Sequence, residues 1–136
     1  IRIYNNNNYD YVTNSNIRSY PDGMDVAVFS TQSLGRALSL AKDPDYLEHV
    51  TLFFKNNPKK FSHLNILATP DQHLPELGLT LDERDDYKLI TEIVNNLHND
   101  KFPFDLRSIL NFLSNNKKII NINKHVKRKK VKTLSN

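Results

Sequence analysis

The stretch Tyr9–Ser30, YDYVTNSNIRSYPDGMDVAVFS, decides the fold. Two short apolar-alternating runs, Tyr9–Thr13 and Asp25–Phe29, flank a polar segment that closes in Tyr20-Pro21-Asp22-Gly23. Proline holds φ at about −65° and glycine tolerates positive φ, so the tetrad specifies a turn. A strand, a polar excursion and a second strand form a wall suited to a polar ligand. The spacing predicts strands at Tyr9–Asn14 and Met24–Phe29.

Upstream, Ile1–Tyr4 reads as the last turn of a helix that Asn5–Asn8 stop. A chain that opens inside a helix without an initiator Met points to a fragment. Downstream, Ser30 is the N-cap of a helix over Thr31–Ala41, with Leu34, Ala37, Leu38 and Ala41 on one face. Asp43 and Pro44 start the next helix, whose Tyr46, Leu47, Val50, Phe53 and Phe54 follow i, i+3, i+4, i+7 until Asn57-Pro58 ends it. Phe61–Ala68 and Leu77–Leu81 read as strands. Asp85 or Asp86 opens a helix with Tyr87, Leu89, Ile90, Ile93, Val94 and Leu97 inward. Asp105 caps another through Leu113, and Lys117–Ile122 adds a turn or two. Strands alternating with helices give an α/β layered fold. So few strands leave an edge that another segment or chain must cover.

Composition bounds the function. The chain has 136 residues, 38% hydrophobic, enough for one modest core. It has no cysteine, hence no disulfide framework and no thiolate metal site. No apolar run approaches the roughly 20 residues that span a bilayer, and Ile1-Arg2-Ile3-Tyr4 does not open a leader peptide; a cytoplasmic protein with no membrane partner is expected. The net charge of +4 conceals an asymmetry. Six of the 19 basic residues follow Asn123 and no acid does, which leaves 13 basic against 15 acidic residues in 1–123. Residues 1–123 are therefore read as the folded domain, and 124–136 as a basic, disordered tail. A nucleic-acid-binding domain spreads its positive charge over a folded face, and this tail has no aromatic residue to stack on bases. Nucleic acid is not the expected partner.

Chemistry concentrates at Leu79-Thr80-Leu81-Asp82-Glu83-Arg84-Asp85-Asp86-Tyr87. Carboxylates at a strand's C-terminal end suit a hard divalent cation, and open α/β sheets gather ligands at those ends. Asp85 and Asp86 have a second reading as helix-capping residues. Glu48 and His49 are either contacts to a polar ligand or ordinary residues of a helix's polar side. Gly23 serves backbone geometry; Asp25 faces a ligand or satisfies loop amides. Arg18 and Tyr20 complete the polar wall. No GxGxxG, GxxxxGK[ST] or HExxH pattern occurs, and no nucleophilic triad can be assembled.

Three elements, YPDGMD at 20–25, EHVT at 48–51 and LTLDERDDYKLI at 79–90, stand in one order and spacing. The ordered set resembles the cytidylyltransferases of the spore coat polysaccharide and acylneuraminate (CMP-sugar synthetase) type, from Tyr9 to about His125. The resemblance implies a Rossmann-like, GT-A-like nucleotidyltransferase α/β/α sandwich, here its C-terminal, sugar-side part with a small mixed sheet. It implies transfer of CMP from CTP to a sugar acid or related sugar for surface polysaccharide biosynthesis. Asp82 aligns with an aspartate that helps bind the catalytic Mg²⁺ together with an upstream aspartate. Arg18, Tyr20, Asp22, Gly23, Asp25, Glu48 and His49 align with the sugar side. The loop that grips the triphosphate belongs upstream of residue 1, so the isolated chain is expected to be inactive and no catalytic residue is assigned within it. The sequence departs from the family's pattern at Ala27, where Glu is frequent, at Leu47 and Gly78, where Arg is common, and at Arg84, where Pro is usual. A second reading, favoured by those departures and by the uncovered sheet edge, is a non-catalytic binding or oligomerisation module.

Overall fold

The computed structural model describes residues 1–99 and 103–127. The described residues form two compact units: Ile1–Ile17 with Val26–Leu67, and Arg18–Asp25 with the described residues between Ala68 and Lys127.

The first unit holds the sheet. Strands β1 (Tyr11–Thr13), β2 (Ala27–Phe29) and β3 (His63–Asn65) lie in the order β2-β1-β3. β1 pairs antiparallel with β2 through Val12↔Val28 and parallel with β3 through Val12↔Leu64. Every residue of β1 is buried, as a strand covered on both faces must be. Among the described residues this unit also holds the helices α1 (Arg2–Asn5), α2 (Thr31–Leu40), α3 (Pro44–Glu48) and α4 (Leu52–Asn56). Ser30 caps α2 by accepting the Ser33 N–H at 2.9 Å, and the Asp43 carboxylate accepts the Asp45 N–H at 3.0 Å ahead of Pro44.

The core of this unit is aromatic. Tyr11 stacks on Phe54 with ring centroids 5.1 Å apart and planes 7° from parallel. Phe29 and Phe61 approach the same ring at 5.1 and 4.8 Å. Such pairs add about 0.5–1.5 kcal/mol each beyond their buried area.

The single helix expected from Pro44 to Asn57 is two. It breaks at His49, whose φ of −104° and ψ of 86° are not helical, and resumes after Thr51. Leu52, Phe53 and Phe54 are all buried, whereas Leu47 and Val50 are 59% and 53% exposed. Three consecutive buried residues demand a helix direction that the Tyr46–Val50 turn does not share. The β-branched pair Val50-Thr51 makes the break cheap.

The second unit is helical, with α5 (Arg84–Leu97), α6 (Leu106–Asn115) and α7 (Lys117–Ile120) around Leu77, Leu79, Leu89, Ile93, Ile109 and Leu113. Asp105 caps α6 by accepting the Ser108 N–H at 2.9 Å. On α5, Leu89 and Ile93 are buried but Tyr87 and Val94 are 63% and 39% exposed, against expectation. At about 100° per residue they stand roughly 80–100° round the helix from the buried Asp86, at the margin of the inward arc.

The strand expected at Leu77–Leu81 is an extended segment with one bridge, Asp22↔Gly78. Its partner is the Pro21–Gly23 turn, not a strand. Pro21 has no N–H and the chain reverses at Gly23, so the ladder stops after one pair. Of the expected tail, residues 124–127 are described and 128–136 lie outside the described residues. No described helix is long and apolar enough to cross a membrane.

Candidate functional site

The turn is built by its backbone. Met24 N–H donates to Pro21 C=O at 3.1 Å, and Gly23 takes φ of +94°. This hydrogen bond places Asp22 and Gly23 at the turn's centre, one residue later than the Tyr20–Gly23 tetrad implied. Asp22 N–H donates to Leu77 C=O at 2.8 Å and Leu79 N–H to Asp22 C=O at 2.7 Å. Ser19 Oγ accepts the Ala68 N–H at 2.9 Å. Pro21 is fully buried and Tyr20 half-buried. The YPDGMD turn is thereby fastened to the start of the LTLD segment, bringing together two of the three motifs.

Arg18 gathers the turn's carboxylates. Its Nη1 lies 2.9 Å from Asp22 Oδ1. The same guanidinium donates through Nη1 and Nη2 to the two oxygens of Asp25, at 3.2 Å each, a bidentate pair. The three side chains retain 39%, 26% and 41% of their exposure. Two carboxylates and one guanidinium leave a net negative, solvent-accessible group of acceptors, which suits hydroxyls. Among the described residues the Asp25 carboxylate pairs with Arg18, and no loop N–H donates to it.

The acidic run after Leu81 separates into distinct roles. Asp86 is fully buried. Its Oδ2 accepts the N–H groups of Asp82 (3.2 Å) and Glu83 (3.1 Å) and the Thr80 hydroxyl (3.3 Å), and its Oδ1 accepts Asn123 Nδ2 at 2.8 Å. Asn123 also donates to Gly78 C=O at 2.8 Å. Asp86 therefore ties the helix start to the LTLD segment and the chain beyond α7. The N-cap itself is Glu83, two residues earlier than the first residue expected there. Asp85 bonds Lys88 Nζ at 2.6 Å and lies 3.1 Å from His125 Nε2. The Lys88 hydrogen bond, followed by the Lys88, His125 and Arg84 charges, holds its carboxyl below the usual range despite some desolvation. Asp86 takes the N–H of the N-cap residue, in keeping with its capping reading, whereas Asp85 stands in the first turn of α5 and pairs with side chains, Lys88 and His125.

Asp82 differs from both. It is exposed, two residues before α5, and its carboxylate accepts no hydrogen bond among the described residues. A Mg²⁺ ion is commonly held by one or two carboxylates plus substrate phosphates, and a single free carboxylate at this position fits that arrangement as one ligand. Among the described residues no three His, Asp or Glu side chains gather into a complete metal site.

Glu48 and His49 belong to the first unit. Both are exposed, Glu48 as the last residue of α3 and His49 at the break that follows. The EHVT element is thus a helix end and a turn rather than part of a helix.

One polar node was not foreseen. Asp10, just before β1, accepts the Ser62 N–H (2.9 Å), the Ser62 hydroxyl (3.1 Å) and Arg36 Nη2 (2.9 Å). Arg36 lies over the Phe61 ring at 4.4 Å. Asp10 is separated from Arg36 by 26 residues and from Ser62 by 52, so no local pattern announces the group.

No family model matches the chain. Over 125 residues it is 36% identical to an uncharacterized protein of Methanocaldococcus jannaschii, covering 90% of this chain and 49% of that protein. Among solved structures it is similar to a cytidylyltransferase from Leptospira borgpetersenii serovar Hardjo-bovis. The TM-score is 0.77 at 22% identity, over 87% of this chain and 48% of the other. The chain spans about half the length of both. The likeness shows the fold: this chain has the α/β architecture of a cytidylyltransferase, with a small mixed sheet.

Proposed function

We propose that this chain forms the sugar-side portion of a cytidylyltransferase that transfers CMP from CTP to a sugar acid or related sugar of surface polysaccharide biosynthesis. The observation that carries the reading is the fastening of the Pro21–Met24 turn to Leu77–Leu79. It fixes the acceptor group of Arg18, Asp22 and Asp25 on the same compact unit as the exposed Asp82 carboxylate. The cytidylyltransferase fold of the Leptospira structure supports it.

On this reading Asp22 and Asp25 accept hydrogen bonds from sugar hydroxyls while Arg18 holds the two carboxylates in place. Glu48 and His49 supply further polar contacts to the sugar. Asp82 contributes one oxygen ligand to Mg²⁺, which when bound neutralises charge on the transferring phosphate. The remaining ligand and the triphosphate grip come from polypeptide outside these 136 residues, so the chain alone turns over nothing.

A pyrophosphate-release assay with CTP, Mg²⁺ and a panel of sugar acids tests this. The chain alone is expected to release none, and a protein that joins it to the remaining half of the fold is expected to release it in proportion to added sugar. Turnover by the 136 residues alone, or release that ignores the sugar, overturns the proposal.

A further inference from the structure

We propose that Asn123 is a positioning residue for the Asp82 carboxylate: acting through Asp86, it fixes the peptide that presents this carboxylate to Mg²⁺. The metal role of Asp82 rests on the function proposed above; the clamp on its backbone does not.

The clamp starts at one nitrogen. Asn123 is buried, and its Nδ2 donates to Gly78 C=O and to Asp86 Oδ1, at 2.8 Å each. A primary amide carries two N–H donors on one atom and can therefore bridge two acceptors. A hydroxyl has one donor, and an ionised carboxylate or a hydrocarbon has none. One acceptor precedes Asp82 in the chain and the other follows it, so the amide ties together both ends of the segment that carries Asp82.

The bond to Asp86 is the one that reaches Asp82. Asp86 Oδ2 accepts the Thr80 hydroxyl and the Asp82 and Glu83 N–H groups, at 3.3, 3.2 and 3.1 Å. The Cβ–Cγ torsion of an aspartate is broad, so its carboxylate turns readily. The bond from Asn123 to Oδ1 opposes that turn and keeps Oδ2 on the two N–H groups. The Asp82 peptide is held while its side chain stays exposed. At the other end, Asp22 bonds Leu77 C=O and Leu79 N–H, and the Gly78 carbonyl between them goes to Asn123. The turn that carries Arg18, Asp22 and Asp25 and the Asp82 peptide thus share one frame. Groups that hold a metal-binding side chain in place typically contribute about 10- to 100-fold to metal affinity. Asn123 stands 45 residues from Gly78 and 37 from Asp86, outside all three motifs read as the site.

Asn123→Leu keeps the number and branching of side-chain heavy atoms and removes both donors. In the 136-residue chain without metal, the Asp82 and Glu83 amides of this variant are expected to exchange hydrogen at least about tenfold faster than in the parent, while those of Leu89 and Ile93 in α5 keep their protection. In a protein that joins this chain to the rest of the fold, Mn²⁺ with CTP and no sugar, followed by water-proton relaxation, is expected to bind at least about tenfold more weakly. The Mg²⁺ concentration that half-saturates pyrophosphate release should rise by a similar factor, with the sugar KM unchanged. A residue that only stabilised the fold would lower the amount of active protein and leave both metal constants where they are. If Asn123→Leu does not fold, Asn123→Ser, which keeps one donor, is held to the same expectations. Four results overturn the inference: Asp82 and Glu83 amides that exchange at parental rates; Leu89 and Ile93 amides that accelerate as much; metal constants that stay parental; or two variants that both fail to fold, which makes Asn123 part of the framework. Mn²⁺ binding that weakens as expected without any pyrophosphate release in the parent defeats the proposed activity and leaves the role of Asn123 standing. Release whose Mg²⁺ dependence ignores Asn123→Leu defeats that role and leaves the activity. A joined parent that neither binds Mn²⁺ nor releases pyrophosphate defeats both.

Discussion

Gly23 and Leu79 meet backbone to backbone: a Cβ at position 23 would lie 2.6 Å from the Leu79 carbonyl oxygen and 2.9 Å from Thr80 N. Position 23 also holds φ of +94°, a conformation that costs a residue with a side chain about 1–3 kcal/mol. Any substitution must both strain the turn and push it off the LTLD segment. Gly23→Ala is expected to lower stability by at least that amount in urea unfolding, because the clash adds to the strain. A midpoint unchanged from the parent would contradict the docking of the turn on Leu79.

The acidic run yields a second expectation, since two neighbouring aspartates do opposite jobs. Asp86→Ala removes, at a fully buried position, the acceptor of the Asp82 and Glu83 N–H groups and one of the two acceptors of the Asn123 amide. That is expected to cost at least about 2 kcal/mol. Asp82→Asn alters an exposed side chain and is expected to stay within about 0.5 kcal/mol of the parent. In a protein that joins this chain to the rest of the fold, the same Asp82→Asn is expected to abolish Mg²⁺-dependent pyrophosphate release. Near-parental release would end the metal role of Asp82, and a large loss of stability would make it structural.

These two aspartates also show how far the sequence could be read. The Ser30, Asp43 and Asp105 helix starts follow from local chemistry and stand where that chemistry puts them, whereas the α5 cap falls two residues early at Glu83 and the PDG turn closes one residue late, at Met24. Three β-strand positions were legible for the same reason. What was not legible depends on partners distant in the chain. The helix break at His49 arises because the Tyr11, Phe29 and Phe61 rings call for Phe54 and its neighbours in one direction. The Leu77–Leu81 segment lacks a ladder because its partner is a turn with a proline. Asp86 is buried because Asn123, 37 residues on, reaches its second oxygen. Within the candidate site, the Arg18–Asp22 pair is an i, i+4 contact, whereas the fastening of the turn to residues 77–79 has no sequence signal.

Acid should weaken the first unit in two steps. Burial lowers the His63 pKa, and the Phe54 carbonyl and the Asp10 charge restore only part of it. Burial raises that of Asp10, but the Ser62 N–H and hydroxyl and the Arg36 guanidinium outweigh it and leave the carboxyl below its ordinary range. Both folded pKa values are depressed. Each contribution is complete above the group's ordinary value and is lost as pH falls through the lowered one. Thermal midpoints are therefore expected to decline first below about pH 6.5, the ordinary histidine value, and again below about pH 4 as Asp10 protonates. His63→Phe should remove the upper step and keep the lower, and Asp10→Asn should flatten the lower. An upper step that survives His63→Phe would assign it to another group.

Glu48 and His49 separate binding from folding. Both are exposed, and His49 stands where the helix has already stopped, so truncating either removes little packing. Glu48→Ala and His49→Ala are expected to stay within about 0.5 kcal/mol of the parent in unfolding. If they touch the sugar as proposed, each should raise the KM for the sugar in the joined protein by roughly five- to thirtyfold, the factor that corresponds to one hydrogen bond of about 1–2 kcal/mol. The KM for CTP should remain unchanged. An equal rise in both constants would place these residues in the framework of the site rather than at the sugar, and no change in either would leave them as surface residues at a helix end.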